Sequence, residues 1–228
     1  MTAAEQTAVL LSLRVASVGA LASLPFAIAV AYLLARVRFP GRTALDVAVH
    51  LPLVLPPVVT GWLLLIEFGR NGPLGAFFER AFGFTFAFRW TGAALAAAVM
   101  GFPLMVRAIR LSIEAVDRRL EQAAATLGAS RLRIFATVTL PLALPGVFAG
   151  LILGFAKAIG EFGATITFVA NIPGETQTIA TAIYGYTQEP GAEFSIVRLT
   201  LVAIVIAFGA LIASELLAAR VSARAAEP

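Results

Sequence analysis

Long runs of apolar residues constrain the fold of this chain more than any other feature. About twenty helical residues are needed to cross roughly 30 Å of hydrocarbon. The ten-residue alternation of membrane barrel strands does not recur in the sequence. We therefore predict an all-α integral membrane protein with five transmembrane helices. The predicted spans lie at about residues 9–35, 44–68, 91–110, 143–166 and 197–218.

The composition agrees with a membrane-embedded chain. Hydrophobic residues make up 60% of the sequence and charged residues 13%, whereas soluble domains carry roughly 25% charged residues. The net charge of +4 comes from arginines beside the apolar runs, so we expect contact with membrane lipid and none with nucleic acid. The absence of cysteine excludes a disulfide framework and a thiolate site, and we assign no metal site.

The arginines are distributed unevenly over the connections between the spans. Connections rich in Lys and Arg stay on the cytoplasmic side of a membrane. We therefore expect a multi-pass chain with its N-terminus outside and its C-terminus in the cytoplasm. Eleven of the 17 basic residues lie on the predicted cytoplasmic side: Arg36, Arg38, Arg42, Arg107, Arg110, Arg118, Arg119, Arg131, Arg133, Arg220 and Arg224.

One cytoplasmic connection, residues 114–141, is too elaborate for a simple link between two spans. Its apolar residues recur at helical spacing, and Gly128 suits the end of such a helix. One interpretation is an amphipathic helix resting on lipid headgroups, held by Arg118 and Arg119. The other is a helix that a cytoplasmic protein grips in a groove. The expected apolar face comprises Ile113, Val116, Leu120, Ala123, Ala124 and Leu127.

The same connection resembles the EAA loop of binding-protein-dependent ABC importer permeases. In that family Glu-Ala-Ala is followed by three residues, Gly, nine residues, Ile, one residue and Leu-Pro. Here Gln122 stands in place of the Glu, with Glu121 one position earlier, and Val138 replaces the Ile. The resemblance implies a coupling helix at about residues 115–128 that seats in a groove of the ATPase. The implied ATPase-coupling residues are Glu121, Gln122, Ala123, Ala124, Gly128, Leu140 and Pro141.

Further segments extend the resemblance to the molybdate branch of this family. They are HLPLVLPPVVTGWLL (50–64), MGFPLMVRAIR (100–110) and IGEFGATITFVANIPGETQT (159–178). The resemblance implies the type I permease fold over residues 9–218 and a place in the inner membrane of a bacterium. It also implies that this chain is a permease for molybdate. The implied partners are a second copy of the chain, two cytoplasmic ABC ATPase subunits and an extracytoplasmic, or periplasmic, molybdate-binding protein.

The sequence itself indicates that a separate subunit must hydrolyse ATP. A P-loop requires Gly-x-x-x-x-Gly-Lys-Ser/Thr. The only lysine, Lys157, lies in AGLILGFAKAIG, with no P-loop glycine before it and no hydroxyl residue after it. We therefore expect a non-catalytic permease subunit that binds no cofactor, with ATP held by its partner.

Ionisable residues inside the spans are candidates for a role in transport, because burying a charge in a bilayer costs at least about 2.5–3.5 kcal/mol. Lys157 and Glu161 are four residues apart, so they can pair on one helix face. A structural pair is the simpler interpretation, and a role in admitting or repelling an anion is the alternative. Arg14 lies near the outer end of the first span, from which its side chain can reach the membrane surface.

Prolines, glycines and hydroxyl residues cluster in the second, third and fourth spans. Proline frees a carbonyl from the helix, and such backbone survives in a membrane only against protein or a water-filled cavity. Close helix packing explains part of the pattern, and a translocation pathway explains the clustering. The predicted pathway residues are Pro56, Pro57, Thr60, Gly61, Gly101, Pro103, Gly160, Glu161, Gly163 and Thr165.

Three functions compete at this level. The favoured one is the permease of an oxyanion importer, with tungstate or sulfate as alternatives to molybdate. An ion-coupled secondary transporter would show two related halves around a midplane carboxylate, and five spans do not divide equally. A membrane-embedded enzyme would need a catalytic constellation, which the single His50 with Asp46 does not supply.

Overall fold

The computed structural model describes residues 1–226, and the regular structure in this range is helical throughout, as the sequence predicts. Residues 227 and 228, and with them the predicted cytoplasmic C-terminus, lie outside the described residues, as do the side chains of Arg220 and Arg224. The helices are α1 (Ala3–Arg36), α2 (Arg42–Val54), α3 (Pro57–Phe68), α4 (Pro73–Phe82), α5 (Trp90–Ala115), α6 (Arg118–Thr126), α7 (Arg131–Ile134), α8 (Leu140–Ile159), α9 (Gly163–Val169), α10 (Ile179–Tyr186) and α11 (Glu193–Ala226), with a π-helical turn at Phe135–Thr139.

Small residues hold α1, α5 and α8 together as the centre of the bundle. A Cβ atom on Gly19 of α1 would lie 2.8 Å from the carbonyl oxygen of Ala94 in α5. A Cβ on Gly101 of α5 would lie 3.1 Å from the carbonyl oxygen of Gly154 in α8. Such close backbone approach is the usual basis of helix association in lipid, where apolar burial provides no driving force.

Long-range contacts define the two ends of the bundle. At one end, called here the Glu5 end, Arg198 of α11 donates a hydrogen bond of 2.6 Å to buried Glu5 of α1. At the other, the Arg36 end, Arg36 of α1 pairs with Glu121 of α6. After α1 the chain runs back toward the Glu5 end. This is shown by Trp90 at the start of α5, which stacks on Arg14 of α1. The chain reaches the Glu5 end again after α8, where the Ile179 amide of α10 donates a hydrogen bond to the Ser12 hydroxyl of α1.

These contacts show that the described chain crosses between the two ends four times, and α11, which begins at the Glu5 end, is a fifth segment of membrane length. Among the described residues, four helices are individually long and apolar enough to span a membrane: Ala3–Arg36, Trp90–Ala115, Arg131–Ile159 and, within α11, Glu193–Ala213. The remaining traverse is the bent pair α2–α3. The predicted fifth span, 197–218, falls within α11, although the structure describes the side chains only in part beyond Ala213.

The second predicted span, 44–68, is not one straight helix. The chain bends by 113° between α2 and α3, at Leu55 and Pro56. Proline disfavours helical geometry in the residue before it and cannot donate to the preceding turn. The two prolines at positions 56 and 57 therefore end α2 and begin α3, where Pro57 occupies the first turn.

The fourth predicted span, 143–166, is also divided. Helix α8 begins earlier, at Leu140, and ends at Ile159, and the short helix α9 follows from Gly163. The prediction of one continuous span to residue 166 was wrong, because the chain leaves helical geometry around Gly160 and Phe162. The structure thus contains two interrupted helices at neighbouring places in the bundle.

Candidate functional site

The helix α6 protrudes from the bundle at the Arg36 end, with none of its residues buried, and has defined caps. The Asp117 side chain accepts a hydrogen bond of 2.9 Å from the Arg119 amide at its start. Gly128 has a φ angle of +83°, a left-handed conformation that glycine adopts without strain. The observed helix α6, Arg118–Thr126, is shorter than the predicted helix of about 115–128. Helix α5 continues to Ala115, and the chain turns at Val116 before α6 begins.

Glu121 anchors α6 to two other parts of the bundle. Its Oε1 lies 3.1 Å from Arg36 Nε at the end of α1 and accepts a hydrogen bond of 2.7 Å from the Thr139 hydroxyl. Arg36 Nη2 also donates a bond of 2.8 Å to the Val116 carbonyl, in the turn before α6. The Arg36 side chain is only 8% exposed, so these contacts form a partly buried junction between α1, α6 and the start of α8.

The opposite side of α6 is open and partly apolar. Gln122 and Ala123 are exposed, Ala124 is half-buried, and Leu127 is 89% exposed. The expected apolar face was wrong in part, because Ile113 and Val116 are buried in the bundle core rather than on this surface. Of the two remaining coupling candidates, Leu140 packs against the same core and Pro141 is exposed in the first turn of α8.

A second group of candidate residues lies where the two interrupted helices meet. A Cβ on Gly163 would lie 2.7 Å from the Pro57 side chain, so the break between α8 and α9 contacts the break between α2 and α3. Pro56, Pro57 and Gly160 are exposed at this junction. Non-helical backbone of this kind suits the wall of a polar cavity within a membrane.

Glu161 connects the two helices on either side of its own break. It is 2% exposed and forms an ion pair with Lys157 in the last turn of α8. Its Oε1 also accepts a hydrogen bond of 3.0 Å from the Ala164 amide in the first turn of α9. The predicted pairing is therefore present, and the carboxylate is fully engaged in fixing the break.

The other predicted pathway residues pack between helices. A Cβ on Gly61 would lie 2.5 Å from the Ala164 carbonyl oxygen, so this glycine allows α3 to approach α9 closely. Thr60 and Thr165 are buried nearby on the same two helices, and the Thr60 hydroxyl has no hydrogen-bond partner among the described residues. Gly101 and Pro103 lie apart from this cluster, buried within α5.

Several contacts that build these sites carried no sequence signal. The sequence placed Arg36 only among the cytoplasmic arginines and indicated nothing for Thr139, yet both side chains hold Glu121. Each lies far from Glu121 along the chain, and no local periodicity connects them. The cation–π contact of Arg14, whose guanidinium carbon lies 3.7 Å from the Trp90 ring centroid, was equally unforeseen.

Residues 23–223 match the family of binding-protein-dependent transport system inner membrane components. The chain belongs to this family. It is therefore the membrane permease component of an ABC importer, and ATP hydrolysis is the task of other subunits. This membership confirms the predicted permease function and the type I importer fold.

Individual relatives agree with the family assignment. The chain is 59% identical over 218 residues to the molybdenum transport system permease protein ModB of Escherichia coli K12, covering 96% of this chain and 95% of the relative. Its fold is similar to the inward-facing MetNI methionine ABC transporter, with a TM-score of 0.72, 14% identity and coverage of 97% and 99%. It is also similar to a bacterial alginate ABC transporter in complex with an alginate pentasaccharide-bound periplasmic protein, with a TM-score of 0.70, 18% identity and coverage of 95% and 78%.

Proposed function

We propose that this chain is the membrane-spanning subunit of an ATP-driven molybdate importer in the inner membrane of a bacterium. The observation that carries the proposal is 59% identity, over nearly the whole chain, to a molybdenum transport permease. Such identity preserves the shape of a translocation pathway far better than a shared fold does. The distant structural neighbours support the fold alone.

The complete transporter is proposed to contain two copies of this chain, two ABC ATPase subunits and an extracytoplasmic molybdate-binding protein. Five traverses are few to enclose a gated pathway, which favours a homodimer. The outer faces of the bundle are available for such contacts, since Leu201, Val205 and Phe208 of α11 are exposed. Membership of a binding-protein-dependent transport family supports delivery by an external protein.

Helix α6 is proposed to receive the motion of the ATPase. Its outward side presents Gln122, Ala123 and Leu127 to a partner, while Glu121 on its inward side joins Arg36 and Thr139. A force on α6 therefore reaches both α1 and α8 through one carboxylate. Helix-in-groove binding of this kind uses a short helix with an exposed apolar side chain as its anchor.

The translocation pathway is proposed to run past the junction of the two interrupted helices. Pro56, Pro57 and Gly160 are its exposed surface. Buried Thr60, Gly61 and Thr165, with half-buried Gly163, fix the geometry behind it. Gly101 and Pro103, buried in α5, are proposed to contribute through the packing of α5 against α8 rather than through this exposed surface. Glu161 keeps the α8–α9 break in place and is neutralised by Lys157. The surface thus carries backbone and small side chains rather than fixed cations, which lets an anion leave quickly.

The Arg36 end of the bundle is proposed to face the cytoplasm. It carries the arginine-rich connections, as the positive-inside rule requires, and α6, where a cytoplasmic ATPase would bind. A membrane-impermeant thiol reagent added outside intact cells is expected to label Arg70→Cys and to leave Arg119→Cys unlabelled. The reverse pattern would invert the topology.

The proposed substrate is tested by uptake into cells that lack their own molybdate permease. This chain, expressed with its ATPase and binding protein, is expected to restore uptake of radiolabelled molybdate. Unlabelled tungstate is expected to compete, and sulfate at the same concentration is expected to have little effect. If sulfate or tungstate were taken up and molybdate were not, the substrate assignment would be wrong while the permease assignment would stand.

A further inference from the structure

A large cavity lies between the end of α1 and the connection that carries α6. It has a volume of about 1060 Å³ and is bounded by α1, by α6 and by the segment 131–135. Its α1 wall is formed by Ala29, Val30, Tyr32 and Leu33 and is apolar apart from the Tyr32 hydroxyl. Its other walls carry arginine side chains from both sides of the connection.

A smaller cavity of about 250 Å³ continues the first one around the end of α1. Both are lined by Arg36, Val37, Arg38 and Arg118, and the smaller one adds Arg42. Together they form a single recess, called here the basic recess, with an apolar wall at one side and guanidinium groups at the other. Its basic residues are Arg36, Arg38, Arg42, Arg118 and Arg131.

The charge of the basic recess is not balanced by its own carboxylates. Its two acidic residues are already paired, Glu121 with Arg36 and Glu114 with Arg110. Among the described residues, no carboxylate oxygen lies within 4.0 Å of the guanidinium nitrogens of the other four recess arginines. These are Arg38, Arg42, Arg118 and Arg131. Four unpaired cations around one opening attract an anion.

The depth of the apolar wall indicates the kind of anion. Ala29 precedes Arg36 by seven residues, which places it about 10 Å farther along α1 at 1.5 Å per residue. This part of α1 belongs to an apolar, membrane-length helix. A ligand that fills the recess therefore needs a negatively charged head at the arginines and a hydrocarbon tail along α1.

We propose that the basic recess binds an anionic phospholipid, whose phosphate lies among Arg38, Arg118 and their neighbours and whose acyl chain lies along α1. Arginine suits this role because its planar guanidinium group forms paired hydrogen bonds with phosphate oxygens. The bound lipid would join α1 to α6, the same two helices that the Arg36–Glu121 pair connects. The site does not depend on which solute the permease transports.

A protein partner is the weaker candidate for this recess. An ATPase subunit could cover the arginines from the aqueous side, but it could not reach the α1 wall within the membrane. The surface of α6 that lies outside the recess and is open to such a partner is at Ala123 and Leu127, whereas Gln122 lines the recess itself. Free phosphate would use the arginines and leave the apolar wall empty.

The test is a binding titration of the full purified chain in detergent, alone and with its ATPase subunits, read by native mass spectrometry. The ligands are phosphatidylglycerol, phosphatidylcholine and glycerol phosphate. Each arginine near an anionic lipid changes the affinity about fivefold. The double variant Arg38→Gln/Arg118→Gln is therefore expected to bind phosphatidylglycerol about 25-fold more weakly. The matched control Arg119→Gln/Arg133→Gln removes the same charge outside the recess and is expected to bind as the unaltered chain does.

A second variant distinguishes the binding of a lipid from the binding of a free anion. Ala29→Trp fills the apolar wall while keeping every arginine, and it is expected to weaken phosphatidylglycerol binding without changing the binding of glycerol phosphate. The proposal is overturned if both double variants lose affinity equally, if glycerol phosphate binds as tightly as the lipid, or if the ATPase subunits displace the lipid. Monodisperse elution of each variant shows that it has folded, and molybdate uptake is not needed for the readout.

Discussion

The Glu121 carboxylate of α6 lies 3.1 Å from the Arg36 guanidinium at the end of α1, across 85 residues of sequence. The Thr139 hydroxyl donates to the same oxygen from the turn that leads into α8. A helix that stands outside the bundle is thus joined to two of its three central helices through one side chain. This junction adds to the covalent link from α5, which ends at Ala115 and is separated from α6 by two residues.

Glu121→Gln is expected to uncouple transport from ATP hydrolysis. The substitution leaves the Arg36 guanidinium without its charged partner, at a cost of about 1–3 kcal/mol for a group held largely out of water. Solute imported per ATP hydrolysed should fall in proteoliposomes, while ATP hydrolysis itself continues. Arg119→Gln is the control, because it also changes one charge on α6 and lies on its exposed side. An unchanged ratio in Glu121→Gln would mean that coupling bypasses this junction.

Gly61→Ala is expected to force α3 away from α9. The added methyl group would lie 2.5 Å from a backbone oxygen of Ala164, which cannot move aside as a flexible side chain can. Overpacking of this kind costs about 1–3 kcal/mol, and both thermal stability in detergent and uptake should decrease. Gly209→Ala adds the same group to open space in α11. Equal stability of the two variants would show that the α3–α9 contact is looser than described.

Lys157→Met is expected mainly to reduce the yield of folded protein. It leaves the Glu161 carboxylate, 2% exposed, with only the Ala164 amide as partner among the described residues. Losing one member of a buried pair is far more costly than losing both. The double variant Lys157→Met/Glu161→Gln should therefore recover part of the yield, as measured by size-exclusion chromatography. Normal yield with abolished uptake in Lys157→Met would instead assign the lysine a direct role in anion passage.

Gly160→Cys is expected to react with a membrane-impermeant maleimide during turnover. The chain has no cysteine of its own, so a single introduced thiol reports one position. Open space surrounds Gly160, and a water-filled pathway would keep its thiol ionisable. Phe208→Cys is the control, since it lies on the exposed apolar surface of α11 and should stay unreactive whether lipid or the second copy covers it. Failure of Gly160→Cys to react in every state of the cycle would remove this residue from the pathway.

The helical class and the position of the loop helix were predictable because they depend on local patterns. The length of an apolar run predicts a membrane span, and the glycine at position 128 marks the end of α6. The prolines at positions 56 and 57 predicted an interruption but not the 113° bend. The bend depends on how α3 packs against α9, which no pattern within the second span encodes.

The connections between distant segments were not predictable from one sequence. The Arg36–Glu121 pair and the bond from the Ile179 amide to Ser12 each join residues far apart in the chain. Burial of Thr60, Gly61 and Thr165 was also unforeseen, because small residues suit a packed interface and a pore wall equally well. Only the three-dimensional structure distinguishes the exposed junction of the two interrupted helices from the residues that pack behind it.

A separate ATPase is proposed to drive this permease through α6. Proteoliposomes containing the purified chain with its ATPase subunits and its loaded binding protein give the most direct test. Uptake of radiolabelled molybdate is expected only when ATP and the ATPase subunits are both present, and it should disappear when residues 118–126 are replaced by a flexible linker. Uptake by the chain alone, or undiminished uptake without α6, would contradict the account.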